Sequence, residues 1–256
     1  MRAWVVTAIA AFNIHAAPGQ VYEVFKCAEI DARIEKLAQP AAIYQGANFT
    51  ISLNSRSGVE DTLESDSEVD KILSIRSGTG TLVLNNHPYT VGADDLISVP
   101  RGTAHRLSAL SGPVRWVEIR FFGKGIPRDK LFFGLPRVLP ASEIAGAFAN
   151  DSQTRLDAPT FWMTYASYSH SKGAEEHSNH GHIYLVKSGH AAVELGGELQ
   201  NPKEERRGTM SGTGIANARR YEIGPGDIVV IPPNTAHDKE LSGERLGYVF
   251  FWVRLN

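Results

Sequence analysis

Three histidines that could bind a metal ion lie close together in the segment AEEHSNHGHIYLV: His177, His180 and His182. Asn179 and Gly181 are residues that tight turns favour. The segment therefore predicts a hairpin whose loop is 178–181, with His177 and His182 as cross-strand neighbours about 4.5–5.5 Å apart at Cβ. Two such imidazoles can reach one ion at bonds of about 2.0–2.1 Å. His180, at the predicted loop tip, is expected to be solvated, or to replace His177 if the hairpin register shifts.

His237 is the predicted third ligand, because it follows the turn Pro-Pro-Asn-Thr, after which a strand would re-enter the same barrel. Three neutral imidazoles suit one divalent transition metal ion (Fe, Zn, Cu, Ni or Mn) and leave positions open for water or substrate. The alternative is that His182 and His237 are hydrogen-bonded interior residues without an ion. Tyr184 follows His182 by one strand period, so it faces the same side. It is the candidate catalytic residue, as a proton donor to substrate, with ordinary core packing as the alternative.

The chain repeats itself. YTVGADDLISVPRGTAH (89–105) matches YEIGPGDIVVIPPNTAH (221–237) at a distance of 132 positions (237 − 105), and KILSIRSGTGTLVL (71–84) matches HIYLVKSGHAAVEL (182–195) at 111 positions (182 − 71). The two distances differ by 21 positions (132 − 111), which indicates an insertion of about that length in the second copy. Within each copy, short runs rich in β-branched residues alternate with turn residues, which predicts several short strands and a sandwich or barrel.

With these repeated motifs, the sequence resembles the cupin superfamily, and specifically the bicupins. The second cupin motif occurs twice, from Gly92 to His105 and from Gly224 to His237. The resemblance implies an all-β fold of two tandem cupin (jelly-roll) β-barrels with a few short helices. It also implies a metal site in the C-terminal barrel.

The first cupin motif is matched poorly. In the second copy, alignment on Gly189 puts His182 where the family has a glutamate, and Glu176 and Ser178 at the family's histidine positions. Similarity to quercetin-dioxygenase-like cupins suggests a carboxylate ligand as well, Glu176 or Glu175.

The first copy retains fewer ligand-type residues, because Lys71 stands opposite His105 in place of a metal ligand. A fixed ammonium there would repel a cation, so the first barrel is predicted to be metal-free and structural. Glu64 or Asp70 could pair with Lys71. The alternative is that Lys71 and His105 bind an anionic ligand.

The predicted domain organisation begins with a signal peptide at 1–17, in which Arg2 precedes an apolar run and small residues. An N-terminal buried strand is the alternative. The N-terminal cupin barrel is predicted at 18–123, a linker with a short helix at 124–158, and the C-terminal cupin barrel at 159–256. The signal peptide would make the protein secreted or periplasmic. Cys27 is the only cysteine, which excludes an internal disulfide.

The net charge of −2, with both signs mixed, argues against a nucleic-acid partner, and no segment predicts a membrane span. The expected partner is a small-molecule substrate or ligand, and the resemblance adds a possible homodimer. The insertion, 197–220, carries Arg206 and other cations, and is either a lid over an acidic substrate or a solvated loop. Taken together, the sequence predicts an exported metal-binding bicupin, dioxygenase-like or lyase-like, acting in the C-terminal barrel. A non-catalytic cupin that binds a metal or small ligand is the alternative.

Overall fold

The computed structural model describes residues 21–125, 137–149, 155–241 and 243–255, which form β-strands and two short helices. The all-β fold of two cupin-like barrels predicted from the repeats is confirmed. The predicted signal peptide, 1–17, and part of the predicted linker lie outside the described residues. Within them, neither helix is long and apolar enough to cross a membrane.

The first half of the described chain contains the following elements in order: β1 (Glu23–Phe25), α1 (Cys27–Ile34), β2 (Ala41–Gln45), β3 (Phe49–Arg56), β4 (Asp70–Ser77), β5 (Gly80–Leu84), β6 (His87–Val91), β7 (Leu96–Val99), β8 (His105–Ala109) and β9 (Val114–Phe121).

The second half repeats this plan with additional strands: β10 (Arg137–Leu139), α2 (Ala141–Ala149), β11 (Arg155–Asp157), β12 (Phe161–Tyr168), β13 (Ala174–His177), β14 (His180–Ser188), β15 (Ala191–Leu195), β16 (Glu198–Gln200), β17 (Lys203–Arg206), β18 (Thr209–Gly212), β19 (Gly214–Ala216), β20 (Arg219–Ile223), β21 (Ile228–Ile231), β22 (His237–Leu241) and β23 (Leu246–Arg254).

Each barrel is made of two facing antiparallel sheets. In the first barrel the sheet β10-β7-β4-β9-β3-β2 faces the sheet β6-β5-β8. In the second, β1-β21-β14-β23-β12-β11 faces β17-β18-β13-β22-β15-β20, and the insertion adds the short pair β16-β19. The insertion thus contributes β17 and β18 to the sheet that carries β13.

The two barrels pack against each other through their larger sheets. Strands β4 and β14 are buried on both faces, because one face lines a barrel and the other meets the neighbouring barrel. At this junction Phe121 of the first barrel lies 4.3 Å from Phe161 of the second between ring centroids, within a shared core that includes Ile72 and Ile183. Burying each such side chain stabilises the fold by roughly 1.5–3 kcal/mol. The barrels therefore share one apolar interface.

The barrels also exchange their N-terminal arms. Strand β1 precedes the first barrel but pairs with β21 of the second, and β10 precedes the second barrel but pairs with β7 of the first. The helices follow the same exchange: Asp227 accepts the backbone N–H of Cys27 at the start of α1, and Asp95 accepts that of Ala141 at the start of α2. Each aspartate caps a helix N-terminus, where a negative charge is stabilising. Each N-terminal arm therefore lies on the barrel that it does not precede in sequence. The predicted domain boundaries, 18–123 and 159–256, stay a prediction.

Candidate metal centre

His177 and His182 face each other across the interior of the second barrel. His177 ends β13, which pairs with β18 and β22, and His182 lies in β14, which pairs with β21 and β23. The hairpin predicted at 178–181 is therefore wrong, because the chain crosses here from one sheet to the other. The two rings nevertheless come together, with centroids 4.7 Å apart. The expected proximity holds for a different structural reason.

His180 belongs to the same cluster and is not a solvated loop residue. It begins β14 one strand period before His182 and is 7% exposed. Its ring stacks on Trp252 with centroids 4.1 Å apart and on His177 at 4.2 Å. The prediction that His180 lies at a solvent-exposed loop tip was wrong because it assumed the hairpin.

His237 reaches the cluster from β22, as the sequence predicted. The preceding turn contains Asn234 in the left-handed region, at φ 58°, a conformation that asparagine tolerates better than most residues. The His237 ring lies 5.0 Å from that of His182 and 5.3 Å from that of His177, between centroids. A residue distant in sequence thus joins the histidines of β13 and β14.

Of the two carboxylates that the sequence suggested, Glu175 belongs to the cluster and Glu176 does not. Glu175 is the register partner of His237 and shares a face of β13 with His177, while strand alternation turns Glu176 the other way. The Glu175 carboxylate oxygens lie 3.5 Å from His177 Nε2 and 3.4 Å from His237 Nε2. The resemblance left Glu176 and Glu175 as alternatives, whereas the two-residue period counted back from His177 would have selected Glu175.

All four imidazoles are held through Nδ1. The partners are Thr209 Oγ1 for His177, Asn179 Oδ1 for His180, the Tyr184 hydroxyl for His182 and the Thr235 carbonyl for His237. The Thr235 carbonyl can only accept, so His237 Nδ1 carries the proton and Nε2 keeps its lone pair.

Within the described part of the chain, the four Nε2 atoms are buried and have no hydrogen-bond partner; those of His177 and His237 lie 3.5 and 3.4 Å from the Glu175 carboxylate. These separations exceed the usual range of about 2.7–2.9 Å for charge-assisted hydrogen bonds, so they are ion-pair contacts and not hydrogen bonds. Buried polar atoms without partners are rare in native proteins. Four of them lie in one cluster, and the Glu175 carboxylate lies beside those of His177 and His237, so the cluster offers a set of metal ligands.

Burial and neighbouring charges set the protonation states of this cluster. Burial lowers the pKa of His180 to about 3, and lowers those of His182 and His237, so these imidazoles are neutral at pH 7. Burial acts to raise the pKa of Glu175, yet its neighbours His177 and His237 outweigh burial and hold that pKa well below the usual range. Neutral imidazoles and an ionised carboxylate are the protonation states that metal binding requires.

Tyr184 lies behind His182 and does not face an open space. It is 1% exposed, and its hydroxyl lies 3.3 Å from His182 Nδ1 and 3.5 Å from Lys239 Nζ. This placement assigns Tyr184 to orienting His182, which differs from the predicted catalytic contact with substrate. Lys239, which the sequence analysis did not select, is buried beside it; it lies one strand period after His237.

The insertion supplies residues at the edge of the cluster. Thr209, in β18, bonds His177, and Arg206 donates to the same Thr209 hydroxyl at 3.2 Å. The Arg206 guanidinium also lies 5.3 Å from the ring centre of Trp252. Arg206 was predicted within a general cationic lid, but no sequence signal singled out Thr209. The Glu175 side chain keeps 31% of its surface exposed, so the cluster meets solvent on that side.

The first barrel has a related arrangement in which a lysine takes part. Glu64 pairs with His105 as Glu175 pairs with His237, and its carboxylate lies 3.8 Å from Lys71 Nζ and 3.9 Å from His105 Nε2. Of the two predicted partners of Lys71, Glu64 is the observed one, since Asp70 pairs with Arg101 at 3.0 Å.

The donor set of the second barrel fits a transition metal ion. Two overlapping groups place their ligand atoms within 4.8 Å of one another, His177 with His180 and His182, and His177 with Glu175 and His237. Imidazole nitrogen with carboxylate oxygen suits Zn, Cu, Fe or Ni. His177 is common to both groups, which makes it the central candidate ligand.

Two family comparisons match the two halves of the chain. The family described as cupin domain matches residues 59–120, and the family described as AraC-like ligand binding domain matches residues 210–256. The chain is a cupin-superfamily protein with two tandem domains. The C-terminal match includes His237, Thr209 lies just before it, and the N-terminal match includes Glu64, Lys71 and His105.

Solved structures of similar fold cover nearly the whole cupin chain. A mutant of salicylate 1,2-dioxygenase from Pseudoaminobacter salicylatoxidans has 12% identity and a TM-score of 0.69, over 94% of this chain and 86% of that one. The same mutant in complex with gentisate gives 12% identity and a TM-score of 0.68, over 94% and 84%. The Cupin 2 conserved barrel domain protein from Leptotrichia buccalis has 14% identity and a TM-score of 0.58, over 91% and 96%. No curated protein matches the sequence.

Proposed function

We propose that the second barrel binds one divalent transition metal ion and acts with it on a small organic molecule. The observation that carries this proposal is the cluster of four buried imidazole Nε2 atoms that have no hydrogen-bond partner among the described residues, with the Glu175 carboxylate beside two of them. Without a cation, Nε2 lone pairs and a carboxylate would be left facing one another, which is costly in a buried site. His177, His182, His237 and Glu175 would hold the ion, with His180 as a further ligand.

The proposed reaction class is oxygenation, with a lyase reaction as the variant that uses the same site. When bound, the metal would polarise a substrate oxygen or hold substrate and dioxygen together. The protein's residues would orient the ligand rings through Thr209 and Tyr184 and exclude water with Trp252 and the buried strands. The similar fold of a salicylate dioxygenase supports testing small aromatic acids first, and at 12% identity that likeness shows only the fold.

Metal content is the first test. Untagged protein, expressed with metal supplements, should contain about one transition metal ion per chain, measured by mass spectrometry of dissolved metal. His177→Ala should lose the ion because His177 is common to both ligand groups. His190→Ala is the matched control, since that side chain is 69% exposed and lies outside the cluster. Absence of metal in the wild type after supplementation would refute the proposal.

Turnover is the second test. Metal-loaded protein should consume dioxygen with at least one member of a panel of phenols, aromatic acids and sugars, and the activity should be lost in His177→Ala. If product forms without oxygen uptake, the lyase variant is supported.

A non-catalytic ligand-binding function is the second candidate. It is favoured by the AraC-like ligand-binding match over residues 210–256 and by Tyr184, whose hydroxyl is occupied with His182. Metal-dependent binding of a small molecule in calorimetry, with no product across the panel, would support this candidate over the enzyme.

We also propose that the protein is exported, on the basis of the signal-like segment at 1–17. Expression in a bacterial host followed by fractionation tests this. A mature N-terminus near residue 17 or 18 in the secreted or periplasmic fraction would support export, and an intact Met1 in the cytoplasm would contradict it.

A further inference from the structure

A cavity lies where α2 packs on the junction between the two barrels. It has a volume of about 290 Å³ and is lined by Asp94, Ile144, Ala145, Phe148, Lys187 and Ser188. Asp94 belongs to the first barrel, Lys187 and Ser188 end β14 of the second, and the remaining residues come from α2. Helix α2 turns Ile144 and Phe148 toward the protein, as their spacing of four residues predicts. One wall is thus apolar and another carries a cation.

Lys187 is the unusual residue of this cavity. Its side chain is only 11% exposed, and its Nζ lies 3.0 Å from Asp94 Oδ1. Burial lowers the pKa of Lys187, which Asp94 partly offsets. A buried ammonium requires an anionic partner. Asp94 fills that role weakly, because it lies on a turn and its side chain is 69% exposed.

In the other half of the internal duplication, the equivalent basic residue has a carboxylate partner on the helix. Lys187 corresponds to Arg76 at the offset of 111 positions that relates β4 to β14. Arg76 donates to the Asp31 carboxylate of α1 at 2.8 and 3.2 Å. Asp31 corresponds in turn to Ala145, because α1 and α2 begin at Cys27 and Ala141. The helix carboxylate that completes the first copy is therefore replaced by a methyl group in the second, where the cavity lies.

We propose that this cavity binds a small molecule with a carboxylate on an apolar body. The carboxylate meets Lys187 from the α2 side, as Asp31 meets Arg76, and the apolar part packs on Ile144 and Phe148. A volume of about 290 Å³ is near the lower limit of ligand pockets, so the ligand is the size of a single-ring acid.

The cavity is separate from the metal centre. His182 and Lys187 lie five residues apart along β14, which is about 17 Å of strand. A ligand in the cavity would touch both barrels and α2, so its binding should also stabilise the junction between the barrels.

Benzoate is the probe for this site, with benzamide as its uncharged counterpart. Isothermal titration of full-length protein should show one benzoate per chain at this site and at least 10-fold weaker binding of benzamide. Ala145→Asp places an internal carboxylate against Lys187, as Asp31 is placed against Arg76, and should weaken benzoate binding at least 10-fold. Ser142→Asp is the matched control, because it adds the same charge to α2 at a residue that does not line the cavity, and should change affinity less than 3-fold.

Two further variants test the roles of the charged pair. Lys187→Met removes the ammonium but keeps an apolar side chain of similar length, so it should abolish benzoate binding. Asp94→Asn should strengthen binding, because it removes the anion that competes for Lys187.

Equal binding of benzoate to wild type and Ala145→Asp would overturn the proposal. Benzoate binding that is lost in His177→Ala but kept in Ala145→Asp would overturn it too. A wild-type protein that binds neither benzoate nor hexanoate at millimolar concentration would overturn it as well.

Discussion

The backbone amide of Cys27 donates a hydrogen bond of 2.7 Å to the carboxylate of Asp227, 200 positions later in the chain. The first residue of α1 is thus capped by the opposite barrel. Ala141 and Asp95 form the reciprocal contact at 2.8 Å. Together with the exchanged strands β1 and β10, these contacts make the two barrels depend on each other.

Replacing Asp227 should therefore destabilise the whole protein. Asp227 is 3% exposed, and its carboxylate accepts from Cys27 N, Gly224 N and the Lys26 ammonium. Asp227→Ala leaves these donors without their partner, and we expect the free energy of unfolding to fall by about 2–3 kcal/mol. Urea denaturation followed by circular dichroism measures this. Exposed Asp61→Ala should change stability by less than about 0.5 kcal/mol, and a similarly small change in Asp227→Ala would contradict the capping role.

Glu175 and Glu176 give a paired test of the ligand set. Glu175→Gln removes the negative charge beside His177 and His237 and should weaken metal binding by more than about 10-fold. Glu176→Gln makes the same chemical change on the opposite face of β13 and should leave affinity unchanged. Competition with a chromogenic chelator measures both. Equal losses in the two variants, or a loss only in Glu176→Gln, would return the assignment to Glu176.

The Thr209–His177 hydrogen bond of 3.1 Å should determine how well the central ligand is oriented. Thr209→Val keeps the side-chain shape and removes the hydroxyl, so metal affinity should fall about 10- to 100-fold, the size of other losses of outer-shell partners. Thr213→Val, at an exposed position of the same insertion, is the control. An unchanged affinity in Thr209→Val would mean that the ring is held by packing alone.

The sequence predicted the fold because the duplication is visible in identical residues, such as Gly92 and Gly224 or His105 and His237. It also placed His237 beside the cluster, since His237 follows a turn after which a strand re-enters the same barrel. It could not predict the arm exchange, because β1 and β10 carry no residue that specifies which barrel they join. The choice between Glu176 and Glu175 stayed open because it depends on which face of β13 turns inward, and a one-residue slip turns every side chain to the other face.

His105 should make the first barrel sensitive to acid. Burial lowers its pKa below the ordinary value, and the nearby Lys71 charge acts in the same direction. The unfolded chain therefore takes up a proton at a higher pH than the folded chain does, so stability falls as pH drops through about 6.5. Metal-free wild type should lose more stability between pH 7 and pH 5 than His105→Gln does, measured by thermal unfolding. His87→Gln, at an exposed position, should keep the wild-type loss; an identical loss in His105→Gln would refute this origin.

The ammonium of Lys71 should prevent metal binding in the first barrel. Lys71 and Asp66 take the places of His182 and His177, while Glu64 and His105 repeat Glu175 and His237. Lys71→His with Asp66→His would remove the fixed positive charge and complete a three-histidine, one-carboxylate set, so metal content should rise from about one to about two ions per chain. Lys71→Met with Asp66→His is the matched control, since it removes the charge without supplying the third histidine, and should stay at about one. If both double variants keep a single ion, the geometry around Glu64 and not the Lys71 charge excludes the metal.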